Sequence, residues 1–154
     1  MKRITLLLSL LLLLVFAGPS PANAQPFHTG FLDTDAFYNV DPAIGSAWLA
    51  KANEAGAKYI RINVYWDVIA PAERPPGFEP ADPNSPGYDW DLLDQSIKST
   101  VENDMVPILM AFKSPRWAEG PNRDPSARAG SWKPDPEQFA AFGKALARRY
   151  NGTH

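Results

Sequence analysis

The stretch from Gly56 to Trp66 constrains the fold more than any other part of this chain. Gly56 predicts the end of a helix, because a residue without a Cβ takes the left-handed conformation at little cost. Beyond it the apolar residues alternate, which predicts a β-strand. One face of that strand carries Ile60, Ile62 and Val64. The other face carries Tyr59, Arg61, Asn63 and Tyr65.

The second face of this strand is polar, although a strand covered on both faces normally reads as a continuous apolar run. Burying Arg61 and Asn63 without partners would cost several kcal/mol. Polar groups on the inner face of a buried strand, followed directly by Trp66, are typical of the floor of a binding site. The alternative interpretation is an amphipathic strand with one hydrated face.

Residues 1–24 are typical of a secretory signal peptide and are excluded from the fold. Lys2 and Arg3 form a basic start, residues 4–17 are apolar, and Ala22 and Ala24 frame a small-residue cleavage motif. The apolar run is shorter than the ~20 residues that a membrane span needs. We therefore expect cleavage after Ala24 and a product secreted to the extracellular space or periplasm, without membrane attachment.

The remaining part, residues 25–154, has 13 basic and 17 acidic side chains and hence a net charge of −4. This balance argues against nucleic acid as a partner. The absence of cysteine excludes disulfides, zinc–thiolate sites and a cysteine nucleophile. We predict no cofactor and no metal: the two histidines lack metal spacing, and a calcium-like pattern at residues 82–87 has proline at a ligand position.

Strand and helix patterns alternate along the chain. Strands are predicted at residues 26–32, 57–66 and 106–112, and helices at 41–56, 89–104 and 135–150. This order favours an α/β fold with a parallel sheet. Long loops follow each strand, which is typical of a (β/α)8 barrel. We therefore predict the first three βα units of such a barrel. A doubly wound sheet is the alternative, but no glycine-rich phosphate turn follows any strand.

The longest predicted loop, residues 67–88, contains six prolines. Proline lacks a backbone donor and so neither continues a helix nor pairs freely in a sheet. A connection of this length in a compact domain is usually functional.

Three segments in this order resemble the N-terminal half of clan A glycoside hydrolases. They are Gly56–Trp66, Tyr88–Asp94 and Val106–Met110. The cellulase-like family 5 enzymes are most similar, and the resemblance covers residues 27–150. The segment from Phe112 to Trp117 is more similar to families 39 and 42.

The resemblance implies a hydrolase acting on O-glycosyl bonds of poly- or oligosaccharides, with retention of configuration through two carboxylates. It also implies that Arg61 orients and ionises the nucleophile and that Trp66 flanks the sugar cleft. Lys113, Trp117 and Trp132 follow strands or lie in loops, so we predict that they also bind the carbohydrate. Trp48 and Trp90 lie on helix faces and are predicted to pack.

No catalytic residue is predicted within the chain itself. The resemblance implies an acid/base glutamate after strand 4 and a nucleophile on strand 7, both beyond His154. A barrel needs about 250 residues, so we expect an N-terminal fragment that is catalytically incomplete. The carboxylates in the predicted loops are expected to be hydrated surface charges: Asp33, Asp35, Asp67, Glu73, Glu79 and Glu119.

The alternative function is a non-catalytic extracellular module that binds carbohydrate or another partner through its aromatic loops. Such a module is expected to fold alone and to bind glycans by itself. An enzyme fragment is expected instead to leave one edge of its sheet without a neighbour.

Overall fold

The computed structural model describes residues 26–38 and 41–152. The predicted signal peptide, residues 1–24, lies outside these ranges. Within them, no helix has the length and apolar character needed to cross a membrane.

The fold is mixed α/β, with a small parallel sheet of three strands in sequential order. The strands are β1 (Thr29–Phe31), β2 (Ala57–Tyr65) and β3 (Val106–Phe112). Tyr65 pairs with Phe112, so the carboxyl ends of β2 and β3 lie level. The α/β prediction is confirmed and the β2 and β3 predictions hold closely, whereas β1 is shorter than predicted.

Five α-helices and one short 3₁₀ helix lie within the described ranges. They are α1 (Thr34–Phe37), α2 (Pro42–Glu54), α3 (Trp66–Ile69), α4 (Asp91–Glu102), the 3₁₀ helix (Arg116–Ala118) and α5 (Pro136–Arg149). Asp41 and Asp135 accept hydrogen bonds from backbone N–H groups of the first turns of α2 and α5, as their sequence positions predict. Gly56 follows α2 with φ +81°, which confirms the predicted stop.

The apolar core lies between one face of the sheet and the three longer helices. That face of β2 consists of Ile60, Ile62 and Val64, all essentially without solvent exposure. Leu49 of α2, Leu93 of α4 and Phe142 of α5 belong to the same buried cluster. The alternation seen in the sequence therefore separates the helix-covered face from its opposite.

The opposite face of the sheet stays partly open. Val106 and Ile108 on β3 are 54% and 48% exposed. Arg61, which pairs with Ile108, is also exposed. Arg61 therefore lies opposite the core face, as the alternation predicts, but its side chain is not buried; this agrees with the alternative interpretation of an amphipathic strand with one hydrated face. Among the described residues no long helix packs over this face, so the guanidinium of Arg61 remains hydrated.

The proline-rich loop is shorter and more ordered than predicted, because α3 takes up its first residues. Asp89 N–H donates to the carbonyl of Ile69 at 2.8 Å and closes the base of the loop. Proline segments leave backbone carbonyls without helix or sheet partners. Two aromatic donors take these carbonyls: the hydroxyl of Tyr88 binds Pro80 O at 2.7 Å, and Nε1 of Trp90 binds Pro83 O at 2.8 Å.

Candidate functional site

The carboxyl ends of β2 and β3 carry a cluster of rings with one cation, which we call the rim. The rings of Tyr65 and Phe112 lie 4.6 Å apart, and Tyr38 lies 5.8 Å from Tyr65. Lys113 Nζ lies 5.0 Å from the centre of the Tyr65 ring. A cation over a partly hydrated aromatic face gains about 0.5–1 kcal/mol. The rim therefore presents an ammonium group above an aromatic floor.

Tyr38 contributes a neutral hydroxyl to this rim. Burial raises its pKa to about 12, with a further rise from the charge of Asp89 and from Tyr65. The phenol consequently stays protonated at neutral pH. It can act as a hydrogen-bond donor or acceptor beside Tyr65.

Three side chains beside the rim, those of Asn63, Asp67 and Ser114, carry buried oxygens without partners in the described part of the chain. Asn63 Nδ2 donates to Thr34 Oγ1 at 3.0 Å, while its Oδ1 is buried and unbonded. The Oδ1 of Asp67 is in the same state. An unpaired buried acceptor costs about 1–3 kcal/mol. These oxygens therefore have unused acceptor capacity within the described part of the chain.

The backbone at Lys113 is strained. Its φ is +57°, a left-handed conformation that non-glycine residues rarely adopt and that functional sites hold more often than other regions. The carbonyl of Lys113 accepts a hydrogen bond from Asp67 N–H at 2.8 Å, which ties the ends of β3 and β2 together. The strained backbone therefore fixes where the Lys113 side chain leaves the sheet.

Trp66 does not occupy the predicted cleft position. It is the first residue of α3 and is 1% exposed. Its ring stacks on Phe142 of α5 at 4.7 Å and 6°, and meets Trp117 edge-on at 6.0 Å. Both ring faces are covered by protein, so the prediction that Trp66 contacts a sugar is corrected to a core role.

The remaining tryptophans divide differently from the prediction. Trp117 is half-buried: its Nε1 donates to Pro71 O at 2.8 Å and its ring meets Phe78 edge-on. Trp132 lies in a loop with Nε1 3.4 Å from Pro121 O. Trp90 is buried as predicted, but Trp48 is 48% exposed instead of packed. Among these tryptophans Trp48 is therefore the exposed one, while Trp117 and Trp132 are both partly buried.

Two loop carboxylates that were expected to be hydrated have structural roles. Asp33 accepts from Ala36 N–H at 3.0 Å and caps α1. The side chain of Glu119 is only 2% exposed and pairs with Arg116 and Arg123, which corrects the expectation for this residue. The described residues contain no cluster of three or more histidine, aspartate or glutamate side chains able to hold a metal.

Sequence reasoning named Tyr65 only as a polar-face residue and did not name Tyr38 or Phe112 as site residues. Phe112 could have been found, because it ends the predicted β3 strand beside Lys113. Tyr38 follows the short helix α1, which lies in a stretch where the sequence pattern predicts no helix. The sequence signal that could have revealed α1 is Asp33, which caps this helix.

Neither a protein-family model nor a curated protein matches this chain.

Proposed function

We propose that this chain forms the N-terminal part of the catalytic barrel of an exported glycoside hydrolase. The observation that carries the proposal is the one-sided sheet: among the described residues, the three long helices cover a single face of the sequential parallel strands. In a (β/α)8 barrel the helices lie outside and the opposite face lines the interior. A doubly wound sheet would place helices on both faces.

The open face and the outer edge of β3 support the same proposal. Val106 and Ile108 are half exposed, and β3 has no neighbour on its outer side within the described ranges. Exposed apolar strands with free edges invite association with other chains. In the proposed barrel, further strands of the same polypeptide cover this face and pair with β3.

Arg61 has a definite role in this proposal. It lies exposed on the open face and has no ion-pair partner among the described residues. In a closed barrel its guanidinium would face the interior, where a nearby carboxylate would be kept ionised by the opposite charge. A retaining glycosidase needs one such ionised carboxylate as nucleophile and a second, protonated one as acid.

The rim provides the proposed sugar contacts. Lys113 above Tyr65 offers a donor beside an aromatic surface, and Trp132 in the following loop offers a further, partly buried ring. The proposal assigns the acid/base and the nucleophile to strands that follow β3, as the family resemblance implies, and the loop carboxylates Asp33 and Glu119 are engaged in structural contacts. The chain alone is therefore proposed to be catalytically inactive.

The decisive experiment compares this chain with the product of the gene extended past the His154 codon. Both are exported, purified and assayed on aryl β-glycosides and polysaccharides, and NMR identifies the first-formed anomer. We expect turnover with retention from the extended product and none from the short chain. Turnover by the short chain that survives controls for contaminating enzymes, or an extended product inactive on all substrates, would overturn the proposal.

A second candidate, a non-catalytic carbohydrate-binding module, is favoured by one observation. Trp48 is half exposed beside a hollow of about 250 Å³ that Phe31, Leu32 and Phe37 also line. Such a module would bind glycans as the chain stands, and Trp48→Ala would abolish binding. A chain that folds stably alone and binds glycans through Trp48 would favour this candidate over the enzyme.

A further inference from the structure

The segment that follows the 3₁₀ helix forms a loop closed at its neck. Gly120 N–H donates to Lys133 O at 2.8 Å, and Asp135 N–H donates to Ala118 O at 2.8 Å. Glu119 and Pro134 form an isolated antiparallel bridge between these two bonds. Residues 120–133 therefore leave and re-enter the fold at one point, and their internal contacts determine where the loop lies.

One carboxylate joins three parts of this segment. Glu119 Oε2 accepts from Arg123 Nε at 2.7 Å and from Arg116 Nη1 at 3.0 Å. Its Oε1 accepts from the backbone N–H of Gly130 at 3.1 Å. Arg123 also donates to the carbonyls of Asp124 and Ala127. A buried carboxylate with two cationic partners and a backbone donor is strongly held in place.

Gly130 is the point at which the loop contacts the rim. A Cβ at this position would lie 3.1 Å from Lys113 Cβ and 3.4 Å from Asp67 Oδ2. Its φ is +73°, a conformation that strongly favours glycine. The backbone of the loop thus rests on the Lys113 side chain and covers one carboxylate oxygen of Asp67.

We propose that Glu119 is a positioning residue for the rim. By holding Gly130 against Lys113 and Asp67, its carboxylate sets the direction of the Lys113 side chain over Tyr65 and the height of the loop above the strand ends. The positioning itself is a property of this chain. Only its consequence for sugar binding rests on the proposed function.

The first test uses Glu119→Ala, with Glu73→Ala as the matched control because Glu73 is an exposed loop carboxylate. Tryptic cleavage after Arg128 reports loop opening, and the NMR resonance of the Lys113 ε-methylene reports its position over the Tyr65 ring. We expect cleavage to accelerate by about tenfold or more, since a lost hydrogen bond to a charged group shifts an opening equilibrium at least that far. The Lys113 resonance should move toward that of a free lysine.

Gly130→Ala provides an independent perturbation that leaves Glu119 intact. The added Cβ meets Lys113, so the same displacement of the Lys113 resonance is expected. If Glu119→Ala does not fold, Glu119→Asp takes its place, because the shorter side chain withdraws the carboxylate from Gly130. Faster cleavage with an unchanged Lys113 resonance in these variants would show that Glu119 stabilises the loop without positioning Lys113. That result would overturn the proposal.

The consequence for sugar binding is measured separately. In the extended product, Glu119→Ala should raise KM more than it lowers kcat, while Glu73→Ala should change neither. Absence of glycosidase activity in the unsubstituted extended product would refute the proposed function without touching the positioning of Lys113. If the extended product is active and Glu119→Ala leaves its KM unchanged although the Lys113 side chain is displaced, the rim does not contact the substrate.

Discussion

The indole Nε1 of Trp117 donates a hydrogen bond to the backbone carbonyl of Pro71 across 46 positions of sequence, at 2.8 Å. The same relationship recurs in three other places. The further pairs are Tyr88 with Pro80, Trp90 with Pro83 and Trp132 with Pro121. Aromatic donors thus hold the proline-rich loops in this protein. An aromatic residue in such a loop therefore does not by itself indicate a sugar contact, because its N–H or O–H group can instead bind a backbone carbonyl of the loop.

Replacing Trp117 with phenylalanine should lower the free energy of unfolding by about 1–2 kcal/mol, because the bond to Pro71 is lost while most of the ring remains. Trp132→Phe is the matched control. Its bond to Pro121 is long, at 3.4 Å, and exposed to solvent, so we expect a change within about 0.5 kcal/mol. Urea denaturation followed by circular dichroism measures both. Equal effects would contradict the importance of the Trp117 bond.

Replacing Trp66 with alanine should cost about 3–5 kcal/mol, because it leaves a cavity where the ring stacks on Phe142. Trp48→Ala, at a half-exposed position, should cost far less. Thermal denaturation of the two variants provides the comparison. A Trp66→Ala protein that keeps its stability but loses affinity for glycans would restore the sequence-based interpretation of Trp66.

Acid should weaken the link between α4 and α5 at Asp94. Burial opposes its ionisation, but hydrogen bonds from Arg149 and Tyr150 prevail and hold the pKa of Asp94 below its usual range. A carboxyl with a lowered folded pKa stabilises above its unfolded pKa, about 3.9, and loses that contribution as pH falls through the folded pKa. Unfolding free energy measured from pH 7 to 2 should fall below about pH 4. Asp94→Asn should lack this component, whereas Asp91→Asn should keep it.

Alkali should act on the same cluster through Tyr150. Burial first, and then the hydrogen bond to Asp94, raises the pKa of Tyr150 above its usual range. The folded state therefore binds the phenolic proton more tightly than the unfolded chain does, and stability falls as pH rises above about 10. Denaturation between pH 8 and 11 should reveal this loss in the parent chain. A Tyr150→Phe variant with an identical alkaline slope would contradict the assignment.

Arg61→Ala should change the stability of the present chain by no more than about 0.5 kcal/mol, because the guanidinium is exposed and unpaired within the described residues. In the extended product the same substitution should lower kcat strongly if Arg61 faces a nucleophilic carboxylate. Arg61→Lys keeps the charge but loses the planar fork, so it should recover only part of the activity. Wild-type turnover by the extended Arg61→Ala protein would remove Arg61 from the proposed site.

The sequence by itself determined the longer elements and their order. Asp41 and Asp135 cap helices, Gly56 ends one, and alternating residues from Ile60 to Val64 form a strand with one apolar face. These signals are local, since a cap, a left-handed turn and a period of two each depend on neighbours within a few positions. The short helices α1 and α3 were missed because four residues carry too little periodicity to be recognised.

Only the tertiary structure decided which of these side chains are accessible. Trp66 and Trp48 are the same residue type, yet Phe142 from a distant helix covers the first, while the second has only Lys51 over its ring among the described residues and stays 48% exposed. Glu119 is buried because two arginines and a backbone N–H converge on it, and Arg61 is exposed because its face of the sheet is open. The local alternation predicts which face of β2 is buried, but the burial and charge pairing of these loop and helix-end residues depend on contacts between segments far apart in sequence.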